Sequence, residues 1–93
     1  MYSNIVMKSF KWSERKNKIL QAGRGVSFED VMEEIAEGRV LDMLVNTNHS
    51  EQIIYVVRLN GYVHCVPAEE NEDSIRLITI YPSRKLNSRY KES

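Results

Sequence analysis

The stretch QIIYVVRLNGYVHCV, residues 52–66, decides the fold of this chain of 93 residues. It holds two apolar runs rich in β-branched and aromatic residues, which are typical of strands, and only Asn60 and Gly61 separate them. Asn-Gly is the strongest short hairpin signal, because both central residues of a two-residue turn take positive φ. The sequence therefore predicts an antiparallel hairpin in which Leu59 faces Tyr62.

This turn also determines which side chains share a face of the hairpin. Counting outward, Arg58 faces Val63, Val57 faces His64, Val56 faces Cys65 and Tyr55 faces Val66. One face is aliphatic and the other carries aromatic rings and a histidine: the first comprises Ile54, Val56, Val63 and Cys65, the second Tyr55, Tyr62 and His64. We expect the aliphatic face to lie against helices and the second face to stay more open.

Flanking segments complete a sheet with helices before and after it. RVLDMLV precedes the hairpin and IRLITIY follows it, and both have strand composition. In the last strand we expect Ile78 and Ile80 to join the core, and Leu77, Thr79 and Tyr81 to lie on the open face. Ser13 and Ser27 are predicted N-caps of two helices that end near Gly23 and Gly38. A short helix is expected after Pro82.

These elements predict an α+β fold in one domain. Two N-terminal helices pack on a four-stranded antiparallel sheet, which gains a fifth strand if Lys8 to Lys11 pairs with it, and a short helix closes the chain. The length supports one hydrophobic core and not two. We expect the domain to span residues 8–93 and residues 1–7 to form a flexible N-terminus.

The single cysteine and the apolar pattern bear on where the protein works. Cys65 has no second cysteine to pair with, so a disulfide framework is excluded and a reducing compartment is favoured. The sequence shows no long apolar segment and no secretion signal. We therefore expect a cytoplasmic protein that does not bind membranes.

The formal net charge is zero, but the charge is unevenly distributed. Lys8 to Arg24 contains six basic residues against Glu14, and Arg76 to Ser93 contains five against Glu92. If the fold brings these ends together, they form a basic face that suits a polyanion. The alternative, that these charges are solvated helix faces, stays open.

The segment IYPSRK, residues 80–85, places two cations at the start of the last helix. A helix start disfavours positive charge through its dipole, whereas its exposed amides together with Arg84 and Lys85 would hold an anion. Such a local mismatch is more often functional than a scattered surface charge is. We therefore expect Arg84 and Lys85 to bind a phosphate.

The order of several motifs resembles the BrnT family of type II toxin-antitoxin toxins, within the wider RelE-like ribonuclease group. The family segments W…N…HGVSFE and IISAR are matched by Trp12, Asn17, residues 25–29 and residues 80–84. The chain departs from the family in having Arg24 where many members have histidine. It also has Thr79 where they often have arginine in the last strand.

The resemblance implies RNA cleavage without a metal or other cofactor, neutralised by a cognate antitoxin. DNA would be bound only indirectly, through that antitoxin. Arg84 would grip the reacting phosphate, His64 would act as base or acid, and Tyr81 would donate a proton or stack on a base. Further RNA contacts are expected at Lys85, Lys8, Lys11 and Arg58. The histidines and Cys65 lack zinc-ligand spacing.

A second hypothesis is a non-catalytic module of the same fold that binds a partner or RNA without cutting it. The absence of an arginine at Thr79 favours this module, whereas Arg84 and the basic ends favour the ribonuclease. In either case we expect another chain to cover the open apolar face, which carries Tyr55, Tyr62, Leu77 and Tyr81.

Overall fold

The computed structural model describes residues 8–90, so the expected flexible segment 1–7 lies outside the described residues. The elements in chain order are β1 (Ser9–Lys11), α1 (Glu14–Arg24), α2 (Phe28–Ala36), β2 (Asp42–Val45), β3 (Ile53–Leu59), β4 (Tyr62–Glu70), β5 (Ser74–Leu77), β6 (Tyr81–Pro82) and α3 (Arg84–Arg89). Within the described range, none of the helices is both long and apolar enough to cross a bilayer.

The strands form one mostly antiparallel sheet, which confirms the α+β class. Their order is β1-β5-β4-β3-β2, and β6 pairs with β4 beyond the end of β5. The additional strand expected near Lys8 to Lys11 is present as β1, and it runs parallel to β5. The C-terminal helix is present as α3.

The hairpin has the predicted turn and register. Asn60 and Gly61 have φ angles of 54° and 76°, as a two-residue turn requires. Leu59 pairs with Tyr62, and the pairs continue without a slip to Tyr55 and Val66. This part of the fold follows from local sequence alone.

The N-caps of both N-terminal helices are also as predicted. The Ser13 hydroxyl accepts from the Lys16 N–H at 3.2 Å, and the Ser27 hydroxyl accepts from the Asp30 N–H at 3.1 Å. The first helix continues past Gly23 and ends at Gly25, whose φ of 67° is the left-handed conformation common at helix ends.

The expected assignment of the two sheet faces is wrong. The helices α1 and α2 pack on the face that carries Tyr55, Val57 and Val66, and Phe28 lies at the centre of this core. Tyr55 is 4% exposed, because its ring is buried while its hydroxyl donates to Glu70 Oε1 at 2.9 Å. The face expected to stay open is therefore buried inside the chain.

The aliphatic face is covered by α3, so helices lie on both faces of the sheet. Arg58, which shares a face with Val56, donates to the Tyr90 carbonyl, and the Tyr90 hydroxyl donates to Asp42 Oδ2 at 3.0 Å. Val56 and Val63 are fully buried. Alternation could not decide between the faces, because both are apolar enough to be buried.

The last strand differs from the expected continuous run of residues 75–81. It breaks after Leu77, where the Ile78 N–H donates to the Pro67 carbonyl at 2.9 Å, and resumes as β6. The break changes the alternation, so Leu77 and Ile80 are both buried in the same core. Leu77 was expected on an open face, and that expectation is wrong.

Candidate nucleic-acid interface

The two cationic segments of the chain meet at β6. Cys65 pairs with Tyr81 and His64 with Pro82 on one side of β6, while β1 pairs only with residues of β5. Within residues 8–90, no strand covers the outer side of β6. We call this border, formed by Tyr81 and Pro82, the β6 edge; α1 approaches it on one sheet face and the start of α3 on the other.

A cleft of about 260 Å³ lies between α1 and residues 79–81. We call it the α1 cleft; it is lined by Lys16, Ile19, Leu20, Gly23, Arg24, Thr79, Ile80 and Tyr81. Arg24 Nη1 donates to the Ile80 carbonyl at 3.0 Å, which holds the end of α1 against the segment before β6. The lining has two cations and no carboxylate.

Other clefts in the described part of the chain carry acidic side chains. The cleft that contains Lys11 and Arg76 is also lined by Glu51, Glu69 and Glu70. A third cleft, near Arg58, is lined by Asp30, Glu33 and Glu34. An anion is therefore attracted to the α1 cleft without the opposing carboxylates found in these two clefts.

Arg84 and Lys85 start α3 on the other face of the β6 edge. The helix is capped by the Ser83 hydroxyl, which accepts from the Leu86 N–H at 3.2 Å, and the Ser83 N–H donates to the Val63 carbonyl at 3.0 Å. Both cations are exposed, and neither forms an ion pair with a carboxylate of residues 8–90. Their charge is thus available to a ligand.

His64 lies on the opposite sheet face from α3. Its Nδ1 contacts the Tyr62 carbonyl at 2.9 Å, and since a carbonyl only accepts, Nδ1 carries the proton and Nε2 is left as the acceptor. Burial lowers the pKa of His64, and the charge of Arg24 lowers it further. His64 is 6% exposed, and with its pKa lowered the imidazole is neutral at physiological pH.

Tyr81 presents its ring at the β6 edge and directs its hydroxyl at Cys65. The Tyr81 and Ser83 hydroxyls both lie close enough to the Cys65 thiol to influence its pKa. Burial raises the pKa of Tyr81, and Cys65 raises it further, so the phenol stays protonated at neutral pH. With 38% of its surface exposed, Tyr81 is accessible to a base or a phosphate.

The other residues expected to bind RNA lie elsewhere or have structural contacts. Lys8 forms an ion pair with Glu70 at 2.6 Å, Arg58 holds the end of α3 through the Tyr90 carbonyl, and Lys11 lines the cleft of mixed charge. The structure therefore groups Tyr81, Arg84 and Lys85 at the β6 edge and separates them from these three.

Two cations of the α1 cleft were missed as site residues. In the sequence, Arg24 stands out only as a departure from the histidine that many BrnT proteins have, and Lys16 only as one of the six basic residues from Lys8 to Arg24. This departure was the available signal for a site residue, because arginine in place of histidine keeps a basic side chain at that position. Their position at the site depends on a contact between α1 and residue 80.

Comparisons with known proteins identify no relative: no family model, curated protein or solved structure matches the chain. Among the described side chains, no three His, Cys, Asp or Glu residues are grouped so that they would hold a metal ion. The candidate site therefore rests on its own geometry and charge.

Proposed function

We propose that the protein is a ribonuclease toxin of a type II toxin-antitoxin system, similar to the BrnT and RelE-like toxins. It would cleave RNA without a metal until a cognate antitoxin neutralises it. One observation supports this most: at the β6 edge, cations approach from both sheet faces, and the α1 cleft contains no carboxylate. A nucleic-acid backbone is the polyanion that such an edge suits.

Single-stranded RNA fits this arrangement better than a duplex does. Lys16 and Arg24 would bind one phosphate in the α1 cleft, and Arg84 and Lys85 would bind another across the β6 edge. Tyr81 lies between the two pairs and offers its exposed ring to an unpaired base. Guanidinium groups hold two phosphate oxygens at once, which positions the backbone for reaction.

Cleavage requires attack of a 2′-hydroxyl on the adjacent phosphorus. The neutral His64 has Nε2 as its proton acceptor, and Arg24 lies close enough to influence its pKa. His64 would therefore serve as base and Arg24 would stabilise charge on the oxygens of the phosphate in the α1 cleft, while Arg84 would hold the neighbouring phosphate and so position the reacting one. Tyr81, kept protonated, would supply the proton to the leaving oxygen.

The second candidate is a module that binds RNA or a protein partner without cutting. The observation favouring it is the position of His64, which is 6% exposed and separated from Arg84 by the sheet. Binding needs only the exposed cations, whereas catalysis also needs His64 to reach the substrate.

The proposed setting is the cytoplasm, where a buried free thiol such as Cys65 persists. The antitoxin would place an acidic segment on the β6 edge and so exclude RNA. It, and not this chain, would contact DNA.

An RNA cleavage assay in buffer with excess chelator tests the proposal. We expect the wild type to cut RNA, and Arg24→Ala, Arg84→Ala and His64→Gln each to lose about 100-fold or more of the rate. Arg89→Ala at the far end of α3 is the matched control and should retain the wild-type rate. RNA binding without cleavage would establish the module instead, and absence of both would refute the site.

A further inference from the structure

The strand β2, Asp42–Val45, is an edge of the sheet that is exposed along its whole length. Met43 is 53% exposed and Val45 is 72% exposed. The edge at β1 is flanked by Lys8 and Lys11, and lysines of this kind discourage pairing with another strand. The strand β2 has no lysine or proline, so it lacks this protection.

The backbone of β2 directs hydrogen-bonding groups outward at Met43 and Val45. The two-residue turn makes Leu59 and Tyr62 a hydrogen-bonded pair, so alternate residues of β3 bond to β4 and the others, including Ile54, bond to β2. Leu44, opposite Ile54, therefore directs its backbone N–H and carbonyl toward β3. The Met43 N–H points outward, where Asp42 Oδ1 accepts it at 2.8 Å.

We propose that β2 pairs antiparallel with β2 of a second copy of this chain, about a two-fold axis at Leu44. In this register Met43 lies opposite Val45 of the second copy, and each Val45 N–H donates to a Met43 carbonyl. Two more hydrogen bonds form because each Met43 N–H leaves Asp42 Oδ1 and donates to the Val45 carbonyl of the other copy. The two sheets then become one.

The strand complements itself in both charge and shape. Asp42 lies opposite Asn46 of the second copy, so no like charges face each other across the strands. Met43 and Val45 project to the same face and join their symmetry mates in one apolar row. The chain has a net charge of zero, so two copies do not repel at long range.

The dimer leaves the proposed RNA site accessible. The strand β2 lies beyond β3 on one side of β4, whereas β6 pairs with β4 on the other side. Both copies therefore keep their β6 edges open, and the inference stands whether or not the protein cuts RNA.

Sedimentation velocity over a dilution series tests the association. We expect a species of twice the chain mass of 10.9 kDa at high concentration. Val45→Pro removes the outward N–H without removing a bond to β3, so it should give only the monomer. Val45→Lys should do the same by adding a charge to the edge, and far-ultraviolet circular dichroism verifies that both variants fold.

The matched control is Ile19→Lys, which adds a lysine at another exposed apolar position, 58% exposed, and should leave the dimer intact. A wild type that remains monomeric at about 1 mM, where even weak complexes are half formed, overturns the proposal. A dimer that persists in both Val45 variants overturns it as well.

A cysteine substitution tests the register. At the two-fold axis, Leu44 faces its own symmetry mate as a pair without hydrogen bonds, with Cα atoms about 4.5 Å apart, within disulfide range. Leu44→Cys should therefore form a cross-linked dimer with diamide as oxidant, while Ile19→Cys should not. The native Cys65 is buried and should contribute little to cross-linking. Equal cross-linking of the two variants would contradict this register.

Discussion

Asn17 joins the two N-terminal helices, and its replacement by alanine should destabilise the fold substantially. The side chain is 1% exposed. Its Oδ1 accepts from the Phe28 N–H at 2.8 Å, and its Nδ2 donates to Glu29 Oε1 at 2.8 Å. Phe28 is the first residue of α2, where the helix itself supplies no acceptor for the N–H.

The size of the loss follows from these two bonds. Leaving the buried Phe28 N–H without an acceptor costs about 1–3 kcal/mol. The Glu29 carboxylate is exposed and regains water, so its lost bond adds only about 0.5–1 kcal/mol. We therefore expect Asn17→Ala to lower the free energy of unfolding by about 1.5–4 kcal/mol, which corresponds to a fall in Tm of about 6 °C or more.

Urea unfolding followed by tryptophan fluorescence measures this change. Trp12 is the single tryptophan, and its ring stacks on Phe28 at 5.8 Å between centroids, so it reports on the region of the mutation. Asn48→Ala, at an exposed position, is the control and should change stability by less than about 0.5 kcal/mol. If Asn17→Ala is as mild as this control, Asn17 does not hold the helices together.

Asn17→Asp separates the two bonds. The carboxylate still accepts from the Phe28 N–H, but it faces Glu29 instead of donating to it. Repulsion raises the pKa of this carboxyl pair in the folded state, so the deficit relative to the wild type should shrink as the pH falls. A deficit that does not change with pH would show that the Glu29 contact is unimportant.

The remaining predictions concern Arg84, His64 and Cys65. Arg84→Ala should leave stability within about 0.5 kcal/mol of the wild type, because the side chain is exposed and has no carboxylate partner among residues 8–90. Arg84→Lys should restore only part of the RNA cleavage that Arg84→Ala loses. The pKa of His64 is lowered below 6.5 in the folded state, so the unfolded chain takes up the proton first as the pH falls. The contribution of His64 to stability should therefore be full above pH 6.5 and decline as the pH falls below it. Urea titrations of His64→Gln should lack this decline. Burial raises the pKa of the Cys65 thiol and leaves it 5% exposed, so a thiol reagent should label it slowly in the native protein and rapidly in urea; fast native labelling would contradict its buried position.

Part of the candidate site was predictable, namely the pair that begins α3. The Ser83 cap and the cations after it are adjacent in the chain, so local sequence defines their arrangement. The role of Arg24 was not predictable, because its guanidinium reaches the Ile80 carbonyl across 56 positions of the chain. Likewise, composition gave no reason to expect that Glu70 pairs with Lys8.

Local chemistry alone determined the hairpin register, the three serine caps and the α+β class. Each is encoded by short sequence patterns, such as the Asn60-Gly61 turn, so it can be recognised without knowing how distant segments pack. Only the tertiary structure decided which sheet face meets α1 and α2, since both faces are apolar and the choice depends on packing between distant segments. The same packing breaks the last strand at residues 78–80 and brings Arg24 to the β6 edge. Neither feature was predictable, because contacts between distant segments leave no signature in the spacing of neighbouring residues.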